Sequence, residues 1–375
     1  MQIFSKGMIY FFSISIDLCF SLDCLPNMTY LVSSLRNQAA RLCFEGASYL
    51  TDPLCVLHRT LWEARITTSN PHLKICNAIL FPCSAISALP GLVLRTMGVF
   101  LQTTPFTNER IKECPLFSLE KFKLLTWNVV GLESGHVYTC AGVTPFSQRV
   151  DAVARKIIEQ NADVVCLSEM MDWSASRSIV DRLKERGYKD FYYNIGPCST
   201  VSSGLLVASK YQLANPRFTP FKARWSLPGH MNRGIFDFTM GQAHVFTTHL
   251  EHSEETSFPK ESEKRARASQ WQRMKDLVDK VQGCVVVTGD LNCKPDELST
   301  MCTEFNIQPL DLTWDGDHFS ASLTGQKVSQ PCQLDWTLVR KGSAITSLIP
   351  TGFDPKQLKK EALSDHKGLL SMISF

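Results

Sequence analysis

The sequence predicts an α/β fold: a four-layer sandwich of two mixed β-sheets flanked by helices, with an N-terminal hydrophobic helical region ahead of it. Three observations predict it. Beyond residue 118, short β-rich runs alternate with amphipathic helical stretches, as where helices cover sheets. Some runs are joined by links as short as "SKYQLANPRF", which suit antiparallel neighbours, and others are separated by a helix, so the connections are mixed. The chain has 375 residues, 44% hydrophobic and 20% charged, which suits a globular protein of one large domain with an appendage, or two domains.

The elements follow in order. The first stretch, "MIYFFSISIDLCFSL", is apolar with Lys6 ahead of it and resembles a weak signal peptide or anchor. Asp17 interrupts it, no clean small-residue cleavage site follows, and Met28 offers a second start, so residues 1–27 carry no weight. "SSLRNQAARLCFEGASYL" is amphipathic with Arg36 and Arg41, which suits a membrane interface or a packed surface helix equally. Ile75 to Leu94 is free of charge and about as long as a bilayer-spanning helix. Pro82 and Pro90 would bend such a helix, and Arg95 ends the run. The expectation is a kinked, re-entrant or hairpin membrane segment; the alternative is an apolar helix pair docked on the rest. The chain thus divides into a hydrophobic, membrane-associating region over 1–118 and a folded domain over 119–375.

Within the second part the strand-like runs are "FKLLTWNV", "DVVCLSEM", "SGLLVASK", "GIFDFTM", "HVFTTHL", "CVVVTGDL", "QLDWTLV" and "GLLSMISF". Three helical patterns lie between them. "SQRVDAVARKIIEQ" sets Val150, Val153 and Ile157 on one stripe, and "SASRSIVDRLKERG" sets Ile179 with Leu183. From Glu261 to Gln282, Trp271, Met274, Val278 and Val281 share a face with charges on the others.

Composition excludes several classes. A net charge of +3 does not announce a nucleic-acid binder by its field, although a local basic groove is compatible with it. The 14 cysteines form no CxxC pair and no zinc-type cluster with histidine. They read as buried thiols in a reducing compartment, with a secreted disulfide-bearing form as the alternative.

The polar residues at the strand ends carry the functional signal. "LLTWN" ends on Asn128, "VVCLSE" on Glu169 and "VFTTH" on His249. "VVVTGDLN" ends on Asp290 and Asn292, whose spacing of two puts them on one face of a strand. Asp335 opens a strand in "SQPCQLD", and "ALSDH" sets Asp365 and His366 before the last one. Singly, each is explained by a turn, a cap or a solvated end. Jointly, they gather at one edge of an apolar core.

In that order "TWN", "SE", "TTHL", "TGDLN", "QLDW" and "LSDH" resemble the endonuclease/exonuclease/phosphatase superfamily, with its deoxyribonuclease-I-like fold, across residues 119–375. Within it the chain is most similar to the neutral sphingomyelinases, through "VVCLSEMMDWSASRSIVDRLKERGY", "SSGLLVASKYQL", "NRGIFDFTM" and "TTHLEHSEE". Vertebrate membrane-bound members also carry N-terminal hydrophobic segments.

The resemblance implies a metal-dependent phosphodiesterase. A phosphodiester is an anion, and Mg²⁺ (or Mn²⁺) with hard oxygen ligands neutralises it. Glu169 is then the metal ligand, Asn128 its neighbour, and Asp365 either binds a second metal or positions its loop. Asn292 donates to a phosphoryl oxygen, and His249 stabilises the phosphoryl oxygens or protonates the leaving alkoxide. Asp335 orients His366 as general base, or Asp290 activates the water instead. The substrate it implies is a phospholipid headgroup, sphingomyelin above all. Nucleic acid and phosphoinositides are the alternatives, and a non-catalytic lipid- or protein-binding member is the remaining class. Val129, Val130 and Gly131 follow Asn128 where abasic-site nucleases carry another acid or amide. "CQLDWTL" lacks the arginine that inositol phosphatases place there. "WSLPGHMNRG", with Trp225, Leu227, Met231, Arg224 and Arg233, suits a lipid-facing or an ordinary exposed loop. The expected location is membrane-associated, with secreted or cytoplasmic forms as alternatives.

Overall fold

The computed structural model describes residues 26–68, 86, 88–131, 143–222, 231–253, 256, 259–307, 310–316, 327–356 and 361–375. Two helices come first, α1 (Pro26–Thr68) and α2 (residues 88–101). The strands of the first sheet are β1 (Thr107–Arg110), β2 (Lys121–Asn128), β3 (Val164–Ser168), β4 (Asp190–Tyr193), β5 (Leu206–Ser209), β11 (Ser343–Ile349) and β12 (Gly368–Ser374). Those of the second are β6 (Ala214–Pro220), β7 (Gly234–Met240), β8 (Ala243–His249), β9 (Cys284–Asp290) and β10 (Asp335–Arg340). The remaining helices are α3 (Phe146–Gln160), α4 (Trp173–Lys184), α5 (Glu261–Val278) and α6 (Pro295–Met301).

The first sheet runs β1-β4-β5-β3-β2-β12-β11 and the second β10-β9-β8-β7-β6. Each is mixed for the same reason. β2 and β3 pair in parallel with α3 as the crossover, and β8 and β9 pair in parallel with α5 as theirs. The other pairings are antiparallel.

Alternation along the strands builds the layers. Leu124 and Val286 face the other sheet, among Val164, Val207, Phe238 and Val245. Leu125 and Trp127 face outward onto Val150, Val153, Ile157, Ile179 and Leu183 of α3 and α4. Val285 and Val287 face outward onto Trp271, Met274 and Val278 of α5. Helix, sheet, sheet and helix stack in that order, which is the predicted four-layer sandwich.

The topology also explains the polar edge. Parallel pairing puts the carboxyl ends of β2 and β3 together, and those of β8 and β9 together. β10 runs back from that edge, with Asp335 opposite Asp290. β12 leaves it too, with Leu369 opposite Thr126, so the residues just before β12 sit beside the end of β2.

Some features depart from expectation. The first sheet starts at Thr107, ahead of the composition shift at residue 118, because β1 pairs with β4 and Arg110 meets the buried Asp190 carboxylate at 2.9 Å. β4 carries that acid, which hides it from a search for apolar runs. β6 lies inside the supposed link, disguised by a register shift between Ala214 and Arg217. β11 is an edge strand with mostly solvated side chains.

At the N-terminus, Ala40, Phe44 and Ala47 of α1 are buried, and Phe44 stacks on Trp173 of α4 at 5.2 Å. Arg41 donates to the Asn108 carbonyl at 2.7 Å. The amphipathic stretch is therefore a helix packed on the sandwich. Residues 75–85 of the uncharged run lie outside the described residues, as does Pro82. Pro90 lies within α2 without ending it, since the helix runs on to residue 101. Among the described residues no helix is long and apolar enough to cross a membrane.

Candidate active site

Six chain segments deliver their predicted residues to one edge. Asn128 is the last residue of β2 and is buried. Its Nδ2 donates to Glu169 Oε1 and to Asp290 Oδ2, each at 3.0 Å, and so links the two sheets. Its Oδ1 accepts the Val130 amide at 3.1 Å. Glu169 follows β3 with φ of 63°, a left-handed backbone uncommon for any residue but glycine. The next amide, of Met170, is held by the Gly204 carbonyl at 2.8 Å.

Asp290 closes β9 with its Oδ2 at the centre of the group. His249 Nε2 lies 3.6 Å from that oxygen and His366 Nε2 3.9 Å from it. Oδ1 accepts the Asn292 amide at 3.0 Å, a turn that ends the strand. The predicted alternation therefore stops at Asp290. Asn292 has φ of 51° and reaches the edge through that turn, where its Nδ2 donates to the Leu250 carbonyl at 3.2 Å.

Asp335 Oδ2 and His366 Nδ1 are 2.8 Å apart, the expected carboxylate–imidazole pair. Thr313 Oγ1 fixes the Asp335 strand by accepting the amides of Leu334 and Asp335. Ser364 does the same for the histidine: its Oγ donates to the Asn128 carbonyl at 2.6 Å and accepts the His366 amide at 3.1 Å. Trp127 Nε1 donates to the His366 carbonyl at 2.8 Å. Asp365 is buried and accepts Trp314 Nε1 at 3.2 Å.

Burial and crowding set the charges. Burial, reinforced by the Asp335 carboxylate, pushes Asp290 up to about 7. Asp365 is also raised, by burial first. For His366 burial acts downward, but Asp335, Asp365 and Asp290 outweigh it and hold the imidazole well above its ordinary range. His249 goes the other way: burial, then the Arg233 charge, hold it well below, and it is neutral at pH 7.

The donor set fits a divalent cation. Glu169, Asp290, Asp335 and Asp365 offer hard carboxylate oxygens, and Asp335 Oδ1 is buried with no hydrogen-bond partner among the described residues. Ligand-capable atoms of Asp290, Asp335 and His366 lie within 4.8 Å of one another. In that trio His366 Nδ1 is engaged by Asp335, which leaves Nε2 and the carboxylate oxygens as the ligand-capable atoms.

Two arginines escaped sequence reasoning. Arg149 of α3 is buried and donates to the carbonyls of Thr144, Val129, Val130 and Leu363, tying the β2 exit to the segment before His366. It lies beside the Val150, Val153 and Ile157 stripe of its helix and is not singled out by it. Arg233, read as part of an exposed loop, is buried at the entry to β7. Met231 is half-buried, and Arg224, Trp225 and Leu227 lie outside the described residues. Spacing carries no sign of either burial.

No curated protein matches the chain in sequence. Among solved structures it is similar to SmcL, with 19% identity over 67% of this chain and 98% of that one, at a TM-score of 0.53. It is similar to a mutant beta toxin from Staphylococcus aureus with bound magnesium ions, at 18% identity, 67% and 99% coverage and a TM-score of 0.52. A humanized D. rerio TDP2 gives 17% identity, 68% and 100% coverage and a TM-score of 0.50. Identities this low speak for the fold alone. Membership rests on the sequence itself: residues 125–366 match the Endonuclease/Exonuclease/phosphatase family, and the chain belongs to it.

Proposed function

We propose that this chain is a Mg²⁺-dependent phosphodiesterase that hydrolyses a phospholipid headgroup, converting sphingomyelin to ceramide and phosphocholine. The observation that carries the hydrolase reading is the convergence on Asp290 Oδ2 of Asn128, His249 and His366, with Asp335 behind the last. When bound, the cation would neutralise the phosphoryl group. Glu169 would hold it, with Asn128 fixing that carboxylate and Asp365 as a second acid or a loop anchor.

The remaining residues divide the proton work. Asp290, raised to about 7, is suited to take a proton from the attacking water near neutral pH. His366, kept protonated by Asp335, is suited to give one to the leaving alkoxide. Neutral His249 and the Asn292 amide supply hydrogen bonds to the phosphoryl oxygens.

The lipid choice is supported by the N-terminal helices. Leu31, Leu35 and Leu42 of α1 and Leu89, Val93 and Phe100 of α2 are exposed, an apolar surface of the kind that meets lipid. As part of a membrane-associating region ahead of β1, it would hold the catalytic edge near headgroups. A nucleic-acid or phosphoinositide substrate is the competing reading within the same family.

A substrate panel tests this. Release of phosphocholine from sphingomyelin vesicles, plasmid nicking and phosphoinositide dephosphorylation are measured with Mg²⁺ and with EDTA, using Glu169→Ala as the blank. Sphingomyelin turnover that needs Mg²⁺ and Glu169 is expected. Plasmid nicking without lipid turnover would overturn the lipid assignment.

A further inference from the structure

Asp335 and His366 form one pair but belong to different sheets. Asp335 is the first residue of β10 in the second sheet, and His366 stands two residues before β12 in the first. Their contact at 2.8 Å therefore spans the seam between the sheets. Asp335 Oδ2 faces the imidazole, and Oδ1 is buried with no hydrogen-bond partner among the described residues. With no second anchor on the carboxylate, its orientation falls to the main chain.

Residues 310–316 lie between the two partners. Trp314 forms one antiparallel bridge to Cys332 and another to His366. On the Asp335 side, the Trp314 and Cys332 amides donate to each other's carbonyls at 3.0 Å, and the Thr313 amide donates to the Cys332 carbonyl at 3.2 Å. On the His366 side, the Lys367 amide donates to the Thr313 carbonyl at 2.7 Å. Lys367 Nζ reaches the Leu312 carbonyl and Asp315 Oδ1, each at 3.0 Å. Trp314 Nε1 completes this side by donating to Asp365 Oδ2 at 3.2 Å.

Thr313 serves both sides at once. It is buried, and its Oγ1 accepts the Leu334 amide at 2.9 Å and the Asp335 amide at 3.0 Å. A hydroxyl oxygen has two lone pairs, so both are used. The β-branched side chain has few rotamers, which fixes that oxygen in place. Valine would copy the shape without the acceptor and leave two buried N–H groups unpaired. The backbone of Asp335 and the residue after His366 thus answer to one threonine, and a shift of Thr313 changes how the pair meets.

We propose that Thr313 is a positioning residue: without touching substrate, it sets the Asp335 carboxylate against His366 across the seam. The proposal rests on the phosphodiesterase reading of the same site and adds the residue that aligns its proton-handling pair. Proton transfer demands hydrogen-bond reach, so a small displacement of the pair slows the reaction while substrate binding persists.

The test uses the full chain with Mg²⁺, as wild type, Thr313→Val, Thr313→Ala and Thr313→Ser, with thermal melts to check the fold. Steady-state kinetics follow soluble bis(p-nitrophenyl) phosphate and sphingomyelin vesicles. With nitrogen-labelled histidine, NMR reads the downfield proton between His366 Nδ1 and Asp335, assigned by its loss in His366→Gln. Thr313→Val is expected to lower kcat about 100-fold, the scale of a misplacement of about 1 Å, with KM unchanged and the downfield resonance lost or shifted. Thr313→Ser keeps the acceptor and should recover most of the rate and the resonance. Thr313→Ala is read in place of valine where valine does not fold. Wild-type kcat and resonance in a folded Thr313→Val protein overturn the proposal. So do an equal loss in the valine and serine variants, a rise in KM alone, or a wild type without the downfield proton. Unfolding of both the valine and alanine variants also overturns it, making the hydroxyl a staple of the fold. A resonance that depends on the hydroxyl, in a protein that cleaves neither substrate, would uphold the positioning role and sink the hydrolase reading.

Discussion

Asp290 holds the sharpest conflict among the side chains of the candidate site. It is buried, it faces Asp335 across the strand pair, and its carboxyl is pushed up to about 7. The folded protein therefore holds this proton more tightly than the unfolded chain, whose carboxyl titrates near 4. Between about pH 4 and 7 folding takes up the proton, and stability falls as pH rises through that window. Asp290→Asn removes the conflict. In EDTA at pH 8 it should be more stable than wild type by an amount on the order of 1–4 kcal/mol. The gain should shrink as pH falls toward 5, and urea unfolding at the two pH values checks it. An equal gain at both would mean that ionisation is not its source. The acids and histidines of the site were legible in the sequence because each interrupts an apolar run at its end. Arg149 and Arg233 were not, since nothing local distinguishes a buried arginine from a solvated one.

Among the elements, the β8–β9 pair decides the site's geometry. Its parallel register sets His249 opposite Asp290, and Gly289 makes that possible. Gly289 has φ of 137°, and a Cβ there would lie 2.0 Å from the Thr248 carbonyl oxygen. Gly289→Ala must push the strands apart or bend β9. A loss of stability of at least about 2 kcal/mol is expected from clash and strain combined. Catalytic activity should fall further than stability alone accounts for, which comparing kcat with the melting curve at a temperature where the variant is folded will show. The strands rich in valine, leucine and phenylalanine were readable in advance. β4 was hidden by Asp190, β6 by its register shift and β11 by its exposed edge, since local pattern reports burial on a face and not pairing.

At the scale of the molecule, two parallel strand pairs, each bridged by a helix, meet along one seam. β2 and β3 bring Asn128 and Glu169; β8 and β9 bring His249 and Asp290. The N-terminal helices dock against α4 through Phe44 and Trp173, and Ser174 donates to Asp52 at 2.5 Å. Their outer apolar side chains remain exposed. Replacing Leu89, Val93 and Phe100 together by serine should therefore reduce hydrolysis of sphingomyelin in vesicles at least tenfold, the scale of losing a few buried side chains at an interface. Hydrolysis of soluble bis(p-nitrophenyl) phosphate should be unchanged. Equal loss on both substrates would show that these helices support the fold instead.

The left-handed backbone at Glu169 has a consequence for how the chain responds to selection. Most residues sit there at a cost of about 1–2 kcal/mol relative to glycine. Directed evolution for heat resistance alone would thus favour glycine at this position, and survivors of such a screen would be sturdier proteins without the acid. A library sorted on temperature therefore needs a parallel assay for turnover, or it will enrich variants that have discarded the chemistry.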